Sequence, residues 1–163
     1  MGTGQTLLTI MAMLMLSRLI LSVNSNTAQN GASIDMAAYR ITASSLGFSI
    51  IEEASGMAFD QATVAASINS TSQLSSTLGP ETGEVYPNFN DFDDFNGLVK
   101  LDSVQNSAAF KTTAVVEYVT VSGSNIVVSG SPTYNKRITV KVSSVSMSDT
   151  LVFQDVMSYW YFR

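Results

Sequence analysis

The chain has 163 residues, with 13 acidic and 8 basic side chains, a net charge of -5, and neither Cys nor His. Those absences exclude a disulfide framework, thiol catalysis, a Cys-based zinc site, the Ser-His-Asp and Cys-His arrangements, and the usual proton shuttle at neutral pH. An acidic chain with scattered bases also argues against a nucleic-acid partner, because phosphate binding needs clustered Lys and Arg.

The first element is the apolar run Gln5 to Ser22, QTLLTIMAMLMLSRLILS, which contains no Gly or Pro and a single charge, Arg18. At about 1.5 Å per residue these 18 residues fall slightly short of the roughly 20 that cross a bilayer core. A cleaved secretory signal would carry a base ahead of the run, and residues 1–4, a candidate leader, carry none. A buried helix of a soluble core is disfavoured, because nothing else in the chain is apolar enough to cover it on all sides. A membrane anchor remains. The start of the chain, Gly4-Gln5-Thr6-Leu7-Leu8, also resembles that of type IV pilins and pseudopilins. That resemblance implies a membrane anchor first and the core of a filament of identical helices later, with Leu7, Leu8, Ile10, Met11, Leu14, Leu16, Arg18, Leu19, Ile20 and Leu21 at the filament-core interface. A dry, unpaired charge costs several kcal/mol. Arg18 should therefore either snorkel to an interface or bond carbonyls or a carboxylate of a neighbouring subunit.

The pattern continues to Met57, so that residues 5–57 read as one long helix. Asn24-Ser25-Asn26 and Asn30-Gly31 interrupt it, and poor helix formers at these points predict a kink or a melted turn. Beyond them Ile34, Ala37, Ile41, Phe48, Ile51 and Ala58 recur at helical spacing and predict a stripe that packs on the protein's own sheet. Tyr39, Leu46, Ile50 and Met57 widen the apolar face.

Residues 58–97 form a connecting loop, rich in Ser, Thr, Ala and Gly, with at most short elements. It ends in Asn88-Phe89-Asn90-Asp91-Phe92-Asp93-Asp94-Phe95-Asn96-Gly97. Oxygen ligands clustered before a Gly suit a hard cation, which makes Asp91, Asp93 and Asp94 a candidate Ca²⁺ set, although the spacing is not that of an EF-hand. The alternative is a solvated loop whose Phe89, Phe92 and Phe95 point inward.

Residues 98–163 read as a β-rich head. Phe110 to Val121 is β-branched and aromatic, Ile126 to Ser129 is a short run, and Leu151 to Phe162 closes the chain. In Tyr134 to Ser144, Ile138, Val140 and Val142 alternate with Arg137, Thr139 and Lys141, the pattern of a strand with one wet face. Short turns between the runs predict an antiparallel meander. Tyr159, Trp160, Tyr161 and Phe162 are expected to divide between the helix and a neighbouring molecule.

The leader ending in Gly4, followed by Gln5-Thr6-Leu7-Leu8, resembles the start of type IV pilins and pseudopilins. In that family a dedicated peptidase cuts after the Gly and methylates the new N-terminus. The family usually has Phe or Met first and Glu fifth in the mature chain, where this sequence has Gln5 and Thr9. Tyr134-Asn135-Lys136-Arg137-Ile138-Thr139-Val140-Lys141-Val142 is similar to a strand of pilin-like heads, and the acidic-aromatic loop resembles the one that precedes their sheet. The resemblance implies an α+β fold: a long N-terminal α-helix packed on a small C-terminal antiparallel β-sheet. It also implies a structural subunit of a helical extracellular filament, not an enzyme, with identical subunits as partners and the inner membrane as its setting before assembly. A minor pseudopilin of a secretion or DNA-uptake system and a monomeric membrane-anchored binding domain are the alternatives.

Overall fold

The computed structural model describes residues 2–103 and 108–159. Trp160, Tyr161 and Phe162, expected in an aromatic cluster, lie outside the described residues. The architecture is α+β, with one long N-terminal helix packed on a small antiparallel five-stranded sheet. The chain divides into two compact units, Met1–Ala38 and Tyr39–Arg163.

The helix, α1, runs from Thr3 to Ser55. It stays helical through Asn24-Ser25-Asn26 and Asn30-Gly31, so no melted turn forms where one was expected. Each Asn or Gly costs only about 0.5–1 kcal/mol against Ala, and no Pro removes a ladder bond. The polar side chains nearby bond back into the helix: Thr27 Oγ1 donates to the Val23 carbonyl at 2.9 Å and Ser33 Oγ to that of Gln29 at 3.0 Å.

Within the Tyr39–Arg163 unit, the buried face of α1 differs from the predicted stripe. Ala43, Gly47, Ile50 and Ala54 are buried, at helical spacing, whereas Ile41 and Phe48 stay exposed. In the Met1–Ala38 unit Ile34 is exposed too. The reason is distance rather than hydrophobicity. A Cβ added at Gly47 would sit 2.5 Å from the Phe153 ring, so only small residues let the helix backbone come this close to the sheet. Phe48 meets the same ring from the side, with centroids 4.8 Å apart.

The sheet comprises β1 (Val99–Ser103), β2 (Ala109–Ser122), β3 (Asn125–Val128), β4 (Asn135–Ser144) and β5 (Leu151–Ser158). Its order is β1-β2-β4-β5, with every pair antiparallel. β3 pairs only the last four residues of β2. The rest of β2 is left to β4, so the run is a hairpin followed by a return and not a plain meander. β1 was not legible as a strand: its five residues alternate only between exposed and half-buried, as suits an edge. In β2 and β4 alternation is clean, with Phe110, Thr112, Ala114, Val116 and Tyr118 facing in, opposite Ile138, Val140 and Val142.

Between helix and sheet, residues 58–97 hold a one-turn helix α2 (Gln61–Ala65) and two 3₁₀ turns, Thr71–Gln73 and Asp93–Phe95. The second turn is no solvated loop. Phe92 and Phe95 are fully buried and Phe89 is half-buried against Phe95, but Asp91, Asp93 and Asp94 are buried with them.

Candidate functional site

Two features depart from ordinary protein packing. The first is the apolar segment of α1. Taken by itself, the Met1–Ala38 unit leaves Leu7, Leu8, Ile10, Met11, Leu14, Leu16, Leu19, Ile20 and Leu21 each 58% to 70% exposed. Met13, Met15 and Val23 are equally bare and belong to the same surface. These side chains point in every direction around the helix, so no single face is set aside for a core. The segment is long and apolar enough to cross a membrane. Fully burying one Leu is worth about 1.5–3 kcal/mol, so a run of this length has a strong tendency to leave water. Arg18 is exposed and forms no salt bridge among the described residues.

The second feature is a cluster of buried charges where the loop meets β4. Alternation along β4 places Lys136 on the inward face with Ile138, Val140 and Val142. Its side chain is completely buried. The ammonium donates to the Phe59 carbonyl at 2.8 Å, to Asp60 Oδ2 at 2.7 Å and to Asp93 Oδ1. All three of its donors are therefore used. Nζ also lies 4.6 Å from the Phe59 ring centroid and 5.2 Å from that of Tyr118, which closes the site to water.

The two carboxylates on Lys136 are held differently. Asp60 is the N-cap of α2; it accepts from the Ala62 and Ser75 backbone N–H groups, the Ser75 hydroxyl and the Tyr118 hydroxyl as well as from Lys136. Burial works against its charge, but Lys136 and the Ala62 and Ser75 backbone N–H groups outweigh it and hold the Asp60 carboxyl below the ordinary range. Asp93 has no such support: its Oδ2 is buried without a hydrogen-bond partner among the described residues. Asp91 lies beside it. Its Oδ1 accepts from the backbone N–H groups of Asp93 and Asp94, and its Oδ2 is likewise unpartnered. Burial, then the Asp93 charge and a hydrogen bond to Asp93, push the Asp91 carboxyl up to about 8. A single proton on Asp91, shared with Asp93, therefore satisfies both orphaned oxygens.

The structure thus divides the three residues expected to bind Ca²⁺. Asp93 is engaged by Lys136, and Asp91 holds the turn and leans on Asp93. Asp94 instead joins Glu81 and Glu84, the three offering carboxylate oxygens within 4.8 Å of one another. Asp94 Oδ2 takes the Asn90 and Asp91 backbone N–H groups, while Asp94 Oδ1, Glu81 Oε2 and Asn90 Oδ1 have no partner among the described residues. Burial, the hydrogen bond to Glu84 and the charges of Asp94 and Glu84 raise the Glu81 carboxyl to about 7. These are oxygen ligands of the kind a hard cation takes. Glu81, Glu84, Asp60 and Lys136 were not singled out from the sequence. For Lys136 the pattern was present, because the alternation read from Ile138 extends one step back to it. Nothing local marked the others.

No family model, curated protein or solved structure matches this chain.

Proposed function

We propose that this protein is a structural subunit of a helical extracellular filament of the type IV pilus kind, assembled by bundling of its N-terminal hydrophobic helices. One observation carries the reading: a helical segment apolar on all its faces, on a chain that also has a folded head with its own core. A surface of that kind is stable in a lipid core or among copies of itself, and contacts that repeat without closing generate a helical polymer. The order of events in this reading is membrane first and filament later. Leu7 to Leu21 hold the precursor in the bilayer and then exchange lipid for neighbouring helices. Arg18 then bonds a carboxylate or carbonyls of the adjacent subunit. Adhesion, secretion and DNA uptake are all roles such a polymer serves.

The segment's fitness to cross a membrane equally favours a membrane-anchored binding domain that stays monomeric. Electron microscopy of material sheared from cell surfaces, with mass spectrometry of its main protein, separates the two. Fibres with this chain as the dominant component, and an N-terminus at Gln5, are expected. Recovery of the chain only from detergent extracts, with no fibre, favours the anchored monomer.

A further inference from the structure

We propose that Lys136 and Asp93 join through their side chains in a spontaneous amide bond, with Asp91 as the proton-transfer group. The observations behind it are the contact of Lys136 Nζ with Asp93, the complete burial of both side chains, and the pair of orphaned oxygens on Asp91 and Asp93. The bond does not depend on the filament reading, since every participant lies in the Tyr39–Arg163 unit.

Three requirements must be met for an amine and a carboxyl to condense inside a protein. The amine must be able to give up its charge, the carboxyl must be electrophilic, and the leaving oxygen must receive protons. A dry, aromatic-walled cavity serves the first: moving a proton from the ammonium to Asp93 neutralises both partners and removes their desolvation penalty. The second separates Asp93 from Asp60. Asp60 keeps its charge through the hydrogen bonds of Ala62, Ser75 and Tyr118, whereas Asp93 has only Lys136 and the Asp91 carboxyl. For the third, the Asp91 carboxyl is hydrogen-bonded to Asp93 and its Oδ2 has no other partner among the described residues, which places it to carry a proton to the Asp93 oxygen that becomes the oxyanion.

The atoms balance without any co-reactant. The amine lone pair attacks Asp93 Cγ, forming the C–N bond and a tetrahedral centre whose second oxygen is stabilised by Asp91. Asp91 then relays the amine's proton to the leaving oxygen, the C–O bond breaks, and one water departs. An ammonium and a carboxylate become an amide and water, with Asp91 restored. Asp60 and the Phe59 carbonyl, now holding the lysine, remain as acceptors for the single N–H left on Nζ. Because the reacting groups are held in contact by the fold, the step is effectively unimolecular. The product ties the 3₁₀ turn Asp93–Phe95 covalently to the start of β4, a staple in a chain that has no Cys to make one.

The test is mass spectrometry of the purified full-length protein, intact and after proteolysis. The expected result is a mass one water below that of the sequence and a branched peptide joining Lys136 to Asp93. Asp91→Asn, which keeps the acceptor for the Asp93 and Asp94 N–H groups, should slow the water loss by about a hundredfold or more. Lys136→Met and Asp93→Ala should carry the full mass. A full sequence mass for the folded wild-type protein, after prolonged incubation, overturns the proposal. So does a branch at Asp60, or water loss that is unchanged in Asp93→Ala.

Discussion

The Met1–Ala38 unit and the Tyr39–Arg163 unit are opposites in what they place against solvent. The first exposes Leu, Ile and Met along the whole of its apolar run. The second buries a lysine and four aspartates, Asp60, Asp91, Asp93 and Asp94. Buried ionised groups are kept only when paired or given another role, and bare apolar helices only when something else covers them. The difference teaches where each unit finds its stability. The head carries its own core, with Lys136 placed between Asp60 and Asp93, whereas the apolar helical segment carries no core of its own.

The largest effect should come from breaking the helix side alone. Leu14→Asp is expected to abolish sedimentable fibres, because an Asp at the centre of an apolar helix costs about 2.5–3.5 kcal/mol even before it is repeated in every copy. The same variant should leave the unfolding temperature of the head unchanged. Loss of the head's transition as well would mean that the two units are not independent.

Next is Lys136→Met, which strands Asp93 and takes the counter-charge from Asp60, and should cost about 3–5 kcal/mol in urea unfolding. Replacing an exposed partner, as in Arg40→Met, removes only the surface pair with Asp149 at 2.9 Å and should cost under about 1 kcal/mol. Equal costs for the two would contradict the buried cluster as a source of stability.

A smaller effect is expected at Gly47. Gly47→Ala gains about 1 kcal/mol of helix propensity but drives a Cβ into the Phe153 ring, an overpacking cost of about 1–3 kcal/mol. The net should be mild destabilisation by thermal unfolding, turning to stabilisation when Phe153→Leu is present.

The smallest is a pH effect. The folded state holds the Glu81 proton more tightly than the unfolded chain does, so its stabilisation is complete below about 4.5 and is lost as pH rises to about 7. Melting temperature should fall over that window, less so in Glu81→Gln. Ca²⁺ among Glu81, Glu84 and Asp94 would take the place of that proton, so millimolar calcium should flatten the slope. A slope that calcium does not alter removes calcium from this loop.

Much of the fold was legible because periodicity survives burial: the long helix, the alternation of β4 and the strand at Phe110 all follow from it. What failed to show has a common cause, in that small or charged residues at close contacts carry no hydrophobic signal. Ala43, Gly47 and Ala54 were passed over for Ile41 and Phe48, yet the approach of helix to sheet selects smallness. The acidic loop was read for its own oxygens, while the group that engages Asp93 is Lys136, forty-odd residues away. Proximity of that kind is produced by the fold and is not written in any local stretch. The apolar segment was the reverse case, since its length and composition are themselves the signal of a helix able to cross a membrane.

Clasping of Leu7 to Leu21 among identical copies can be tested directly because the chain has no Cys. Ile10 and Ile20 lie about 15 Å apart along the helix, too far to bridge within one chain by a disulfide. In a variant carrying both Ile10→Cys and Ile20→Cys, mild oxidation of surface material should give a ladder of covalent multimers that vanishes on reduction. A product that stays monomeric, with both thiols protected by lipid until detergent is added, would contradict the account.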